Sequence, residues 1–400
     1  MPAQGSSPLI SIVIPTRDRP EFAALALEAI RRQSFQDFEV IVSDNALHRR
    51  FEPDPRLFDG VRIRYMRPPK SVWMTDHWEF AVGQARGRYV GVLGDRNLLA
   101  PTALEHVAVE IRRDSPEVVS WQFGVFQPSG SDLAGPGIVT IRWAPRSQNI
   151  KISAAEALDY LLAIYLDPNK PRDHQLEIRG SIYHGVFSAT LLAAIRSRYG
   201  RIFRFYAPDV NAQCVAMQIA REITCIQRPM ELRIAGPSNG VDVATRVSHL
   251  LATQREAASG ASGTSPRLIP DVSTSISHLL ACDLVALTGR PLRLDQWIEL
   301  HARMTFDLHR ISGWPDGSFR RSQLVAVRDS AARFAPEVRR QLSKEKWKAR
   351  QARVRALFVE RLRSRFGTHL DGFQEILRRE EAYVDKRRFE SLFAALDATT

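Results

Sequence analysis

The stretch that most constrains the fold is residues 11–46, which run in the order strand, polar turn, helix, strand. Residues 12–14 are Ile-Val-Ile, a short apolar run typical of a strand that is buried on both faces. Pro20 suits the first turn of a helix, because the N–H group that proline lacks would have no partner there. The next strand, residues 39–42, leads directly to Asp44. This order predicts the start of a parallel α/β sheet.

The polar residues at the ends of these two strands form the first candidate site. Ligands of open α/β sheets bind outside the carboxyl ends of the strands. We therefore expect one crevice to be bordered by residues from both strand ends, namely Pro15, Thr16, Arg17, Asp18 and Asp44. Neither a glycine-rich dinucleotide fingerprint nor a P-loop follows the first strand, which disfavours both of those classes.

Composition and charge restrict the class of protein further. The chain has 400 residues, of which 44% are hydrophobic and 25% charged, as in a globular protein with one large domain and an appendage, or with two domains. Its net charge of +12 favours an anionic partner, such as a nucleotide diphosphate or a lipid phosphate. The three cysteines lie far apart without metal-ligand spacing, so we expect buried thiols in a reducing, cytoplasmic setting. No run approaches the roughly 20 apolar residues that span a bilayer, and no signal peptide is apparent, so any membrane contact is expected to be peripheral.

Strand and helix patterns continue to alternate up to residue 126, which predicts a mixed, mostly parallel sheet flanked by helices. Residues 127–150 are rich in Pro, Gly and Ser and predict a loop or a hairpin. The small, polar segment 257–268 has the composition of a linker or mobile loop. Beyond it the pattern is helical, and residues 335–366 predict a basic amphipathic helix.

A second motif, residues 87–97, places Asp95 directly after another apolar strand. A carboxylate at a strand end can bind a divalent cation, and such a cation can neutralise a departing diphosphate. The next two residues are Arg96 and Asn97. One carboxylate, one amide and one guanidinium are a poor ligand set for Mg²⁺ or Mn²⁺, which prefer several hard oxygen ligands.

Together, the two motifs resemble family 2 glycosyltransferases, which have the glycosyltransferase A fold. The resemblance is strongest over residues 9–46 and 87–104 and is weaker after residue 176. It implies that Pro15, Thr16 and Asp44 hold the base and ribose of a nucleoside-diphosphate sugar, with Arg17 and Asp18 in the same turn. It also implies a catalytic domain over 1–256, with a donor half 1–126 and an acceptor half 127–256. The linker 257–268 and a helical C-terminal region 269–400 follow this domain.

The departure of Arg96 and Asn97 from the acidic motif of the family leaves three outcomes open. Asp95 and Asn97 can hold a weakly bound Mg²⁺ or Mn²⁺ with the help of water and diphosphate oxygens. Alternatively, Arg96 itself pairs with the diphosphate, because guanidinium matches phosphate bidentately. The third outcome is that catalysis is lost while binding is retained.

Two residues of the second half are candidates for the chemistry of transfer. Direct displacement at the anomeric carbon needs a base for the acceptor hydroxyl, and the family uses a carboxylate just ahead of a helix. Asp209, after Pro208 and before an apolar helix, suits that role, and a helix N-cap is the alternative. His184 is a candidate for contact with the diphosphate or the acceptor, and local hydrogen bonding is its alternative.

The resemblance therefore predicts an inverting glycosyltransferase of glycan or glycoconjugate biosynthesis, acting on a saccharide, lipid-linked or other hydroxyl acceptor. The rival interpretations are a nucleotidyltransferase of related fold and a catalytically impaired nucleotide-sugar-binding or scaffold protein. No nucleic-acid module is recognised, so no nucleic-acid partner is expected. The C-terminal helices are expected to pack on the catalytic domain, to form a homodimer or to contact the inner membrane surface.

Overall fold

In the computed structural model of the protein, the described residues are 7–52, 54, 62–141, 146, 148–166, 179–235, 251, 255, 258, 264–311, 313–334, 336–340, 343–344 and 385–399. Within these ranges, eleven strands form one mixed sheet with apolar cores on both of its faces. This arrangement confirms the predicted mixed sheet flanked by helices.

The first half of the sheet is parallel. In spatial order, its strands are β4 (Tyr89–Val92), β1 (Ile10–Thr16), β2 (Phe38–Asp44) and β3 (Ile63–Met66). Every residue of β1 and β2 is buried, as their apolar sequences predict. The register pairs Thr16 with Asp44, so the carboxyl ends of β1 and β2 meet at one edge of the sheet.

Three helices cover this half: α1 (Pro20–Arg31), α2 (Met74–Val82) and α3 (Ala103–Asp114). Pro20 occupies the first turn of α1, as expected. Helices α1 and α3 pack on one face of the sheet, and α2 packs on the other.

The second half of the sheet is mostly antiparallel. Its elements, in chain order, are β5 (Asn97–Leu99), β6 (Val118–Pro128), β7 (Gly137–Ile141), β8 (Ile150–Ser153), α4 (Ala154–Leu166), β9 (Gly185–Ser188), α5 (Ala189–Tyr199), α6 (Pro208–Met217) and β10 (Glu222–Ile234). Strands β6 and β7 pair antiparallel, which places a hairpin in the predicted 127–150 region. Strand β10 runs parallel to β6 and antiparallel to β5 and β8.

The C-terminal elements join the same structure. They are α7 (Ile276–Thr288), α8 (Leu294–Arg310), α9 (Gly317–Ala332), β11 (Asp385–Phe389) and α10 (Leu392–Asp397). Helices α7 to α9 share one apolar core with α4 and α6. Strand β11 pairs antiparallel with β7, so the expectation of a wholly helical region after residue 268 is wrong for this segment. Half of the predicted linker and most of the predicted amphipathic helix lie outside the described residues.

Two simpler expectations can be compared with the described residues. The cysteines Cys214, Cys225 and Cys282 are buried and free of disulfides, and burial raises the pKa of the Cys214 thiol to about 12. Across the described helices, none combines the length and the apolar character that crossing a membrane requires.

Candidate active site

The turn after β1 and the residues after β4 are joined at the edge of the sheet. The hydroxyl of Thr16 donates a hydrogen bond to Oδ2 of Asp95 (2.9 Å). Both residues are almost fully buried, with 3% of Thr16 and 2% of Asp95 exposed. Since Thr16 also pairs with Asp44 in the β1–β2 register, the structure brings three predicted site residues together.

The guanidinium group of Arg19 pairs with the second carboxylate oxygen of Asp95. Nη2 of Arg19 lies 2.8 Å from Oδ1 of Asp95, so each carboxylate oxygen has a donor. Burial raises the pKa of Asp95, while the charge of Arg19 and the hydrogen bond from Thr16 act in the opposite direction. Asp95 is therefore an internal partner of Arg19 and Thr16.

The residues present do not fit a divalent cation. Asp95 is engaged as described, and the side-chain amide of Asn97, the other predicted ligand, is fully buried without a hydrogen-bond partner for either of its polar atoms. In the part of the chain that the structure describes, no three His, Cys, Asp or Glu side chains are grouped so that they could hold a metal. One engaged carboxylate and one amide do not supply the several hard oxygen ligands that Mg²⁺ or Mn²⁺ prefers.

Asp18 ties the turn after β1 to the loop after β2. Its Oδ1 accepts hydrogen bonds from the backbone N–H groups of residues 47–49, at distances of 2.7–3.0 Å. Burial raises the pKa of Asp18, but these three donors lower it by more. The backbone of Asp18 is left-handed (φ 58°), a conformation that Asp tolerates better than most residues. Asp18 thus shapes the wall of the crevice.

Asp44 is fully buried and accepts hydrogen bonds from the same loop, which follows β2. Its Oδ1 accepts from the N–H of Ala46 (2.9 Å), and its Oδ2 accepts from the N–H of Phe51 (3.1 Å) and from the hydroxyl of Tyr65 (3.0 Å). Burial and the hydrogen bond to Asp44 raise the pKa of Tyr65 to about 12, which keeps that donor protonated. Direct contact of Asp44 with a nucleotide base or ribose stays a prediction.

Pro15, Ser43 and His77 are buried next to the carboxyl ends of β1 and β2. Pro15 is buried in β1 and pairs with Ser43 in the register of β1 and β2. Nε2 of His77 lies 2.8 Å from the hydroxyl oxygen of Ser43, and burial lowers the pKa of His77 to about 4, so this imidazole is neutral. Arg17 is half-buried beside these residues, and its positive charge also disfavours a charged His77.

Tyr183 lies where the two halves of the domain meet. It packs so closely on Gly94 that a Cβ at that position would overlap the tyrosine hydroxyl. Its ring stacks on Trp78, with centroids 5.7 Å apart. Burial raises the pKa of Tyr183 first, and the charges of Asp95, Glu231 and Asp209 raise it further. The charges of these three carboxylates thus act on one phenol.

Asp209 is the second residue of α6 and is half-buried. The N-cap of this helix is Ala207, so the alternative interpretation of Asp209 as the N-cap does not hold. The segment before α6 is held by Asp283 of α7, whose Oδ2 accepts from the N–H of Tyr206 (3.0 Å) and from Nδ2 of Asn211 (3.1 Å). The place of Asp209 is thus set by a helix of the C-terminal region.

His184 is paired with a residue that the sequence analysis did not identify. Its Nδ1 lies 3.1 Å from Oε1 of Glu231, which is fully buried on β10, and Oε2 of Glu231 accepts from Nε1 of Trp121 (3.0 Å). The ring of His184 also stacks on Phe123, with centroids 4.4 Å apart. A carboxylate between the two apolar residues Met230 and Leu232 was the available signal in the sequence.

Two further guanidinium groups lie near Asp95. Arg96 follows it directly, and its Nη1 lies 3.5 Å from the carbonyl oxygen of Ile234. Arg233 precedes Ile234, is the register partner of Asn97 across β5 and β10, and lies over the ring of Phe123 at 4.9 Å. Burial lowers the pKa of Arg96, and the charges of Arg19 and Arg233 act in the same direction.

Comparison with known proteins identifies the class. The model of the family described as glycosyl transferase family 2 matches residues 11–189. This range runs from β1 to the start of α5, and it includes Thr16, Asp44, Asp95 and His184 but not Asp209. Residues 11–189 therefore form a glycosyltransferase domain of family 2.

Solved structures of similar architecture share little sequence with the chain. A structure of TarS from S. aureus is 12% identical, with a TM-score of 0.45, over 84% of this chain and 55% of that chain. TarS 1–349 in complex with UDP-GlcNAc is 12% identical, with a TM-score of 0.46, over 86% of this chain and 92% of that one. The mannosyltransferase PcManGT from Pyrobaculum calidifontis, in complex with GDP-Man and Mn2+, is 14% identical, with a TM-score of 0.38, over 86% and 81%. The chain thus spans about half (55%) of the first TarS structure. A search of curated proteins found no match.

Proposed function

We propose that the protein transfers a sugar from a nucleoside-diphosphate sugar to an acceptor hydroxyl, with inversion at the anomeric carbon. The observation that carries the proposal is the buried contact of Thr16 with Asp95 at the carboxyl ends of β1 and β4, inside the range that matches the family model. The family match supports the donor class. The net charge of +12 supports an anionic donor and also peripheral contact with an anionic membrane that carries a lipid-linked acceptor.

In this reaction, the acceptor oxygen attacks the anomeric carbon from the face opposite the diphosphate. The bond between that carbon and the diphosphate oxygen breaks, and its electron pair leaves with the diphosphate. The proton of the acceptor hydroxyl passes to a base. We assign this role to Asp209 because it is half-buried and lies in the first turn of α6, directly after the segment that Asp283 holds.

Replacing Asp209 with Asn tests the assignment. We expect Asp209→Asn to fold, to bind the donor nucleotide as the native protein does, and to lose transfer by about 10²- to 10⁴-fold, because only the proton acceptor is removed. Product formation from a panel of nucleotide sugars and melting temperatures with nucleoside diphosphates are the measurements. The control is Asp329→Asn, which changes an exposed carboxylate far along the chain on α9 and should leave both unchanged. Full transfer activity in Asp209→Asn would remove it as the base.

A catalytically impaired nucleotide-sugar-binding protein is the second candidate, because both oxygens of Asp95 are engaged within the protein. It is distinguished by the same panel: such a protein would bind nucleoside diphosphates and show neither transfer nor hydrolysis of any donor. Pyrophosphate release from a nucleoside triphosphate and a sugar phosphate would instead indicate a nucleotidyltransferase.

A further inference from the structure

The guanidinium group of Arg19 is only partly used by the protein. One nitrogen, Nη2, pairs with Asp95, while Nε and Nη1 are buried and lack a hydrogen-bond partner within the described structure. A buried charged donor without a partner costs more free energy than an exposed one. Such donors are expected where an anion completes the site, because guanidinium and phosphate form paired, charge-assisted hydrogen bonds.

Arg96 and Arg233 add two more positive charges, just before β5 and near the end of β10. Arg96 is the neighbour of Asp95 in sequence, and Arg233 lies opposite Asn97 on the adjacent strand. Glu231, on β10, is paired with His184. A dianionic group bound beside Arg19 would be attracted by the positive charges of these arginines.

We propose that Arg19, Arg96 and Arg233 together bind the diphosphate of the donor in place of a divalent cation, and that Asp95 positions Arg19. This inference rests on the proposed function and specifies how its leaving group is stabilised. When the bond from the anomeric carbon to the diphosphate breaks, the electron pair remains on the diphosphate oxygen. The three guanidinium groups neutralise that added charge, while the acceptor proton goes to Asp209.

The contacts of Asp95 distinguish a diphosphate bound through a metal ion from a diphosphate bound by arginines. A cation bound to Asp95 would lie next to the positive charge of Arg19, which would repel it. Binding of the diphosphate by arginines keeps both contacts. It also gives Nε and Nη1 of Arg19 the acceptors that they lack.

The test compares binding of nucleoside diphosphates with and without metal in the full chain. Melting temperature and calorimetric Kd are measured with UDP, GDP, ADP, CDP and dTDP, each in excess EDTA and in excess Mn²⁺. For the base that binds, we expect the same Kd in both conditions, within about twofold. The matching nucleoside, which lacks phosphate, should bind much more weakly and be equally insensitive to metal.

Charge-removing variants complete the test. In Arg96→Gln and Arg233→Gln, we expect the Kd of the diphosphate to rise about tenfold or more, while the Kd of the nucleoside stays unchanged. Arg19→Lys keeps the charge beside Asp95 and guards against misfolding, and it should weaken the diphosphate because the paired geometry is lost. Arg328→Gln, an exposed arginine on α9, is the matched control and should bind like the native protein.

The outcomes separate this inference from the proposed function. Binding of a nucleoside diphosphate only with Mn²⁺, or unchanged affinity in Arg96→Gln and Arg233→Gln, would overturn the arginine site and leave the glycosyltransferase proposal standing. A chain that binds no nucleoside diphosphate under either condition would contradict the proposed donor class itself.

Discussion

At the scale of single residues, the buried contact between Glu231 and His184 sets the tautomer of the histidine. An ionised carboxylate can only accept, so opposite an ionised Glu231 the Nδ1 of His184 carries a hydrogen. The stacked ring of Phe123 restricts the plane of the imidazole. His184 is therefore held in one orientation and one tautomer, as a side chain that handles protons or phosphate oxygens requires.

Replacing Glu231 with Gln keeps the size of the side chain and removes the obligatory acceptor. We expect the Glu231→Gln variant to populate both tautomers of His184 and to lose transfer about 10- to 100-fold. Nitrogen NMR of labelled histidine, assigned with a His184→Gln spectrum, reports the tautomer. The control Trp121→Phe removes the hydrogen bond to Oε2 alone and should leave the tautomer unchanged. The positioning role is refuted if neither tautomer nor transfer changes in Glu231→Gln.

The sequence identified the residues of the site that follow strands and missed those that pair across the fold. Thr16, Asp44 and Asp95 could be located because the carboxyl ends of adjacent parallel strands meet. The partners Arg19 and Glu231 could not, because ion pairs between distant segments depend on register and burial that a local pattern does not specify. For the same reason, the sequence did not show that the oxygens of Asp95 are already engaged.

At the scale of elements, the N-terminus of α6 depends on α7. The backbone of Phe205 is left-handed (φ 57°), a strained conformation for a bulky residue, and it lies just before the segment that Asp283 holds. The buried carboxylate of Asp283 accepts from Tyr206, Asn211 and Ser265. These contacts fix the turn from which Asp209 projects.

Asp283 should also make the stability of the protein depend on pH. Burial raises the pKa of Asp283 from 3.8 to about 6, so the folded protein binds its proton more tightly than the unfolded chain does. Asp283 therefore contributes most to the free energy of unfolding below about pH 4. This contribution, up to about 3 kcal/mol, is lost as the pH rises to about 6.

This effect is measured by urea unfolding of the native protein and of Asp283→Asn between pH 4 and 7. It is the difference between their two curves of free energy of unfolding against pH. We expect the native protein to lose free energy of unfolding relative to Asp283→Asn as the pH rises. Asp329→Asn, at an exposed site, should run parallel to the native protein. Parallel curves for Asp283→Asn would show that Asp283 does not titrate in this range.

Strands β1, β2 and β11 differ in how well a sequence pattern can predict them. Strands β1 and β2 were predictable because a strand buried on both faces must be continuously apolar. Strand β11 reads Asp-Lys-Arg-Arg-Phe and is mostly exposed at the edge of the sheet, where charged residues are common and no apolar period appears. Its pairing with β7 depends on the rest of the fold, so a helical pattern nearby was misleading.

At the scale of the whole molecule, the C-terminal end closes on the donor half. Helix α10 follows β11 and packs in the apolar core shared with α1 and α3. The N–H of Leu392 donates to the carbonyl of Ala134 (3.0 Å), and Nη2 of Arg32, at the C-cap of α1, lies 2.7 Å from Oδ2 of Asp397. The described end of the chain is thus part of the structure that carries the donor site.

This closure predicts that a core residue of α10 stabilises the whole domain. Leu396 is fully buried, so Leu396→Ala should lower the free energy of unfolding by about 2–5 kcal/mol through lost burial and a cavity. Leu294→Ala removes the same atoms from a side chain that is 49% exposed and should cost less than about 0.5 kcal/mol. Denaturant unfolding is followed by far-ultraviolet circular dichroism and by the loss of nucleoside diphosphate binding. If α10 is integral, both signals of Leu396→Ala shift together to lower denaturant. A shift in neither signal, or a small separate transition that leaves nucleotide binding at the native midpoint, would show that α10 is only appended to the domain.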